Sequence, residues 1–160
     1  MDNDQEKGPA AEAAQSADAP TTPRGPVLGS VVLFVRDLER CVDFYRELLL
    51  MKVTVRSATA TLLVGTDDVQ LYLRDVGANA EHFVGSVGVQ YVVWVAAGFD
   101  DLRRCERVLK GWSSHIASTA RTSGGFSLVE GRDPSGIPVV VVYPGADQVT
   151  RREILSRIYA

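Results

Sequence analysis

The sequence predicts an α+β fold: two tandem βαβββ modules forming an eight-stranded open curved sheet, a cup with helices outside. Three observations predict it. An apolar run through Val31–Val35 gives way after Asp37 to apolar residues at three- and four-residue steps. Each such stretch is followed by three short strand-like runs. The whole pattern recurs, with Asp37-Leu-Glu-Arg-Cys41 answered by Asp101-Leu-Arg-Arg-Cys105 at an offset of 64 residues.

Module one covers about 28–74. Its first strand runs from about Leu28 to Arg36, apolar on successive residues, so both faces should be covered. Asp37 then suits an N-cap, because its carboxylate accepts free amides of the first helical turn. Leu38, Cys41, Val42, Tyr45, Leu48 and Leu49 form one apolar stripe on the helix that follows. Lys52–Arg56 and Thr59–Val64 read as strands, and 65–68 as a turn. The fourth strand alternates: Val69, Leu71 and Leu73 share one face, and Asp68, Gln70, Tyr72 and Arg74 the other.

A loop over 75–85, containing His82, leads to module two, about 86–144. Val87–Ala96 is its first strand. Asp100 or Asp101 should cap a helix with the stripe Leu102, Cys105, Val108, Leu109 and Trp112. Strands near His115–Thr119 and Phe126–Glu130 follow. Arg132-Asp-Pro-Ser-Gly136 is a turn, and Ile137–Tyr143 the last strand.

The ends differ from this body. Residues 1–26 are rich in Ala, Pro and acid, with a net charge of −3, and bury too little to offset the entropy of ordering. They read as a disordered acidic tail. The domain spans 27–145. Over 146–160, Thr150 with Glu153 forms a capping box, and Val149 with Ile154 a hydrophobic staple. A short C-terminal helix is expected there, with Ile154, Leu155 and Ile158 on one face. That face could cover the core or meet a second subunit.

Composition excludes several classes. The whole chain carries −3, so 27–160 sum to zero and no basic surplus meets phosphates; a nucleic-acid partner is not expected. No apolar run reaches the ~20 residues of a bilayer span, and no signal-peptide pattern opens the chain. No membrane partner and a cytoplasmic location are expected. Cys41 and Cys105 lie in helical patterns without a Cys-x-x-Cys pair and read as buried thiols.

The order of elements resembles the vicinal oxygen chelate superfamily of glyoxalase I, bleomycin-resistance proteins and extradiol dioxygenases. Two stretches carry the resemblance: Val35-Arg-Asp-Leu-Glu-Arg followed by Phe44-Tyr-Arg-Glu-Leu-Leu, and Arg132-Asp-Pro-Ser-Gly-Ile-Pro before the last strand. The resemblance implies a cup, with metal-dependent members holding a divalent ion on His and Glu from the first and last strands of each repeat. Those positions fall here on Ser30, Gln70, Tyr91 (or Gln90) and Val140. Such ions need several carboxylate, imidazole or thiolate donors. No metal and no other cofactor is therefore expected.

Without a metal the cup keeps shape, apolar area and a few polar groups, which suits a small-molecule site. Gln70, taken as inward from the resemblance, brings Tyr72 and Arg74 to the same side. Ser30, Phe34, Tyr91 and Trp94 complete the candidate ligand-binding set, although Tyr91 and Trp94, three apart, cannot both face inward in a regular strand. The expectation is a metal-free protein that sequesters or carries a neutral or anionic, partly aromatic ligand. Two alternatives stay open. One is a lyase, isomerase or dioxygenase-like enzyme, with His115, Tyr72 or Glu130 as acid–base groups. The other is a structural or regulatory module whose cup is filled by its own side chains. Pairing into a homodimer is compatible with all three.

Overall fold

The computed structural model describes residues 28–81, 89–119 and 126–145. The expected acidic tail, His82 and the expected C-terminal helix lie outside the described residues. Module one comprises β1 (Ser30–Val35), α1 (Leu38–Leu49), β2 (Lys52–Arg56), β3 (Ala60–Val64) and β4 (Gln70–Asp75). Module two repeats the order with β5 (Val92–Val95), α2 (Phe99–Gly111), β6 (His115–Thr119), β7 (Ser127–Arg132) and β8 (Pro138–Tyr143). A short 3₁₀ turn, Thr66–Asp68, precedes β4.

Each module makes a four-stranded open sheet, ordered β1-β4-β3-β2 and β5-β8-β7-β6. The first strand runs parallel to the last in both, and the other pairs are antiparallel. β1 and β5 are thus matching edges of the two half-sheets. The tandem modules, open sheets and flanking helices agree with the architecture read from the sequence.

Helix formation follows the expected chemistry in α1. Asp37 is its N-cap and accepts a hydrogen bond from the Arg40 amide at 3.1 Å. In α2 the expected cap is corrected: Gly98 is the N-cap, with no side-chain cap bond. Asp101 instead sits in the first turn and accepts from the Ala97 amide at 3.1 Å. A carboxylate one turn inside can still satisfy an orphan donor, which is why its exact place was hard to read.

The main core lies between the helices and one face of each sheet. Val35, Leu63, Leu71 and Leu73 meet the α1 stripe, and Val129, Val139 and Val141 meet Leu102, Cys105 and Leu109 of α2. Phe44, absent from the predicted stripe, is fully buried and stacks edge-on with Tyr45 and with Trp112 of module two, at centroid distances of 5.1 and 5.6 Å. Gly131 lets Leu109 of α2 pack directly on β7, since a Cβ there would lie 2.8 Å from both Leu109 Cδ2 and the Ser114 carbonyl oxygen.

Polar contacts lock the modules together and so fix β1 relative to β5. The Tyr45 hydroxyl donates to Asp133 Oδ2 at 3.0 Å, while Asp133 Oδ1 accepts from the Ser135 and Ile137 amides at 2.8 Å each. The Arg36 amide donates to Ser135 Oγ at 2.9 Å. On the other side, the Arg104 guanidinium donates to the Glu47 and Leu48 carbonyls at 2.8 Å each, capping the C-terminal end of α1 from the neighbouring module. No described helix is long and apolar enough to cross a membrane.

Candidate functional site

Strand parity divides each sheet into a helix-facing side and an outer side. In β1 the helix-facing residues Leu33 and Val35 are buried, whereas Val32 and Phe34 on the outer side are 58% and 61% exposed. This corrects the expectation that both faces of the first strand are covered. Its outer face is apolar but open, because no described element lies across it.

The register aligns the candidate residues. Ser30 pairs with Gln70, Val32 with Tyr72 and Phe34 with Arg74, so all six share the outer face. On β3, Ala60, Leu62 and Val64 continue it, being partners of Arg74, Tyr72 and Gln70. Lys52, opposite Val64, adds a second cation. The one carboxylate within β1–β4, Asp75, lies opposite buried Val35 and belongs to the other face. The Tyr72 hydroxyl approaches Gln70 Oε1 at 3.4 Å, and Arg74 has no ion-pair partner among the described residues.

A cleft of about 680 Å³ runs between β1 and β5, with Leu28, Ser30, Val32, Phe34, Tyr91 and Val93 among its walls. Its size falls within the usual range for small-molecule sites, roughly 300–1,000 Å³. Of the residues expected from sequence, Ser30, Phe34 and Tyr91 line this cleft. Gln70, Tyr72 and Arg74 extend the same face one strand beyond it. Trp94 points the other way: it packs against the main core and borders a second hollow of about 460 Å³ beside Met51, Arg104 and Cys105. The parity of β5 separates it from Val93 and Val95, as its spacing from Tyr91 required.

The outer face of module two is buried along β7 and β8 but open along β5, where Val93 and Val95 are 38% and 59% exposed. Leu128, Val140 and Val142, with Phe126, form a separate buried cluster against Tyr91. Glu130 sits on this face, opposite Val140. His115 is placed elsewhere, on the helix-facing side: its Nε2 lies 2.7 Å from Ser118 Oγ, which donates to Glu106 Oε1 at 2.9 Å. Hydrogen bonds from Lys110 and Ser118 hold the Glu106 carboxyl below its ordinary range. His115, Tyr72 and Glu130 therefore do not converge.

The two thiols are chemically quiet. Burial pushes Cys41 up to about 12, against hydrogen bonding from Ser135, and burial also raises Cys105.

The Glyoxalase/Bleomycin resistance protein/Dioxygenase superfamily profile matches residues 27–141. The chain belongs to this superfamily. Among solved structures, it resembles a glyoxylase/bleomycin resistance protein/dioxygenase domain from Frankia sp. EAN1pec, with TM-score 0.64 and 20% identity over 74% of this chain and 98% of that one. It also resembles a lactoylglutathione lyase from Agrobacterium tumefaciens, with TM-score 0.58 and 16% identity over 75% and 95% of the two chains. A third likeness is the fosfomycin resistance protein FosX from Mesorhizobium loti, with TM-score 0.60 and 12% identity over 81% and 99%. At these identities the likeness is one of fold. A comparison with curated proteins returned no match.

The glyoxalase-type metal positions can now be tested on their donors. Ser30 and Gln70 lie side by side on the open face, Tyr91 stands across the cleft, and Val140 is buried apolar. This set offers a hydroxyl, an amide and a phenol but no carboxylate, imidazole or thiolate, so it does not fit a divalent ion. Among the described residues, no group of three or more His, Cys, Asp and Glu side chains is placed to hold one.

Proposed function

We propose that this superfamily member binds a small, partly aromatic, neutral or anionic molecule in the cleft between β1 and β5, sequestering or carrying it without a metal. The observation that carries this reading is the open face of module one. Val32 and Phe34 present exposed apolar surface beside a cleft of ligand size, and contiguous exposed apolar surface marks interaction sites. Gln70 and Tyr72 supply amide and phenol hydrogen bonds along the same face. Arg74 and Lys52 supply positive charge with no carboxylate of β1–β4 beside them. A cationic ligand would meet repulsion there; a carboxylate on an aromatic ring would meet a stacking surface and a charge-assisted donor.

Binding rather than catalysis is favoured by the scatter of the titratable groups. General acid–base chemistry needs a group within hydrogen-bond reach of the reacting proton, and His115 lies on the opposite side of its sheet from the outer face. A thermal-shift screen with aromatic carboxylates and their neutral amides tests the proposal. A ligand at a hundred times its Kd stabilises by about 2.7 kcal/mol, well above detection. A raised melting temperature with aromatic acids is expected. No shift across the panel, or one tightly bound divalent metal per chain by elemental analysis, would overturn the proposal.

A further inference from the structure

The second hollow, of about 460 Å³, lies where the two modules meet on the helix side. Module one supplies the end of α1 and the turn between β3 and β4. Module two supplies the end of β5 and the N-terminal half of α2. Two wall residues, Leu50 and Asp67, hold left-handed backbone, at φ 54° and 55°. Such values are uncommon for residues with a side chain, and backbone held this way gathers at ligand sites. Met51, next after Leu50, packs against Gly65, where a Cβ would come within 3.3 Å of Met51 Cγ and Cε.

The walls have a definite charge pattern. Their charged side chains are Asp67, Asp101 and Arg104, because burial keeps the Cys105 thiol protonated. Arg104 is committed elsewhere. Its Nε donates to Asp101 Oδ1 at 2.8 Å, and its other two nitrogens donate to the Glu47 and Leu48 carbonyls. Asp67 is exposed and has no ion pair or side-chain hydrogen bond among the described residues. Two carboxylates against one guanidinium leave the lining one charge negative, and the C-terminal end of α1 adds negative partial charge. Trp94 leads the apolar part. Its Nε1 is buried without a hydrogen-bond partner, so the indole turns carbon surface rather than its N–H to the hollow. An aromatic ring face attracts organic cations and offers an anion nothing.

We infer that this hollow is a second small-molecule site, selective for an organic cation: an ammonium group on an apolar body. The charge faces Asp67, and the body lies among Trp94, Met51 and Val141. The volume falls within the small-molecule range of roughly 300–1,000 Å³. The preference is opposite in sign to that of the face beside the first cleft, which carries Arg74 and Lys52. The inference therefore stands whether or not that cleft takes an anion. An occupant touches both modules, so it braces the junction that Arg104 already spans.

Calorimetry on the full chain at pH 7 with phenethylamine and phenethyl alcohol tests it, since the two share a body and differ in charge. Saturable binding of one amine per chain is expected, about fivefold or more tighter than the alcohol. Asp67→Asn keeps a residue that tolerates left-handed backbone. It should weaken the amine about three- to fivefold, as fits an exposed charge pair, and leave the alcohol unchanged. The chain has two tryptophans, and the indole N–H resonance that survives Trp112→Phe is that of Trp94. Amine titration should shift it together with the Leu50 and Gly65 amides, with Ser30–Phe34 unmoved. Absence of saturable amine binding, equal affinity for the alcohol, or unchanged amine affinity in Asp67→Asn would each overturn the inference. So would shifts centred on Ser30–Phe34.

Discussion

Replacing Tyr45 by Phe removes one hydroxyl and tests how the modules are held. The Tyr45 ring is almost fully buried, and its edge-on contact with Phe44 at 5.1 Å survives the change, so no cavity forms. What is lost is the 3.0 Å hydrogen bond to Asp133, a side chain only 4% exposed. Asp133 retains two amide donors on its other oxygen. A hydrogen bond to a buried charged group contributes about 1.5–3 kcal/mol, so a loss near 2 kcal/mol is expected. For a domain of this size that lowers Tm by roughly 6–8 °C. Urea denaturation of Tyr45→Phe, Asp133→Asn and the double variant reads it directly. The double variant should lose clearly less than the sum, because the two changes remove one shared contact. A loss under 0.5 kcal/mol for Tyr45→Phe, or strict additivity, would refute the claim that this bond couples the modules.

Other perturbations have equally definite outcomes. Thr61→Val should stabilise by about 1 kcal/mol in the same assay, because Thr61 Oγ1 is buried without a hydrogen-bond partner. Gly131→Ala should cost about 2 kcal/mol, since the added methyl meets the Ser114 carbonyl as well as the movable Leu109. Stability should hold level to about pH 9 and then fall. Cys41, Cys105 and Tyr45 keep their protons in the fold, chiefly through burial, while the unfolded chain releases them; each contributes a slope of up to about 1.4 kcal/mol per pH unit in that window. Unfolding curves at pH 8 and 10.5 check this, and equal stability would contradict it. Arg74→Gln should weaken an aromatic carboxylate about tenfold by calorimetry while leaving its neutral amide unchanged.

Local pattern made most of the fold legible. β2 and β6 begin and end where their alternation and flanking turns indicate, and the parity of β4 correctly grouped Gln70, Tyr72 and Arg74. Longer apolar runs were less informative. The sequence suggests a strand over Val87–Ala96, whereas among the described residues of that stretch, 89–96, β5 is Val92–Val95, because apolar character alone does not say where ladder pairing stops. The contacts between modules were hidden for a different reason. Asp133 and Ser135 read as turn residues, and they do form a turn, but their outward groups also dock on Tyr45 and Arg36 about ninety positions earlier. Arg104, within the repeated Asp101-Leu-Arg-Arg-Cys105, caps the C-terminal end of α1. No local periodicity encodes such pairings. The burial of the outer face of β8 was equally invisible, since Val140 and its neighbour Val93 on the exposed edge strand β5 look alike as residues in apolar strands.

Amide chemical-shift mapping of the isotope-labelled protein during titration with an aromatic carboxylate is the most direct test of the binding site. The account predicts saturable shifts concentrated at Ser30–Phe34, Gln70–Arg74 and Tyr91, with the helix-facing residues and His115 unmoved. Shifts centred on the hollow beside Trp94, or spread without saturation over the surface, would contradict it.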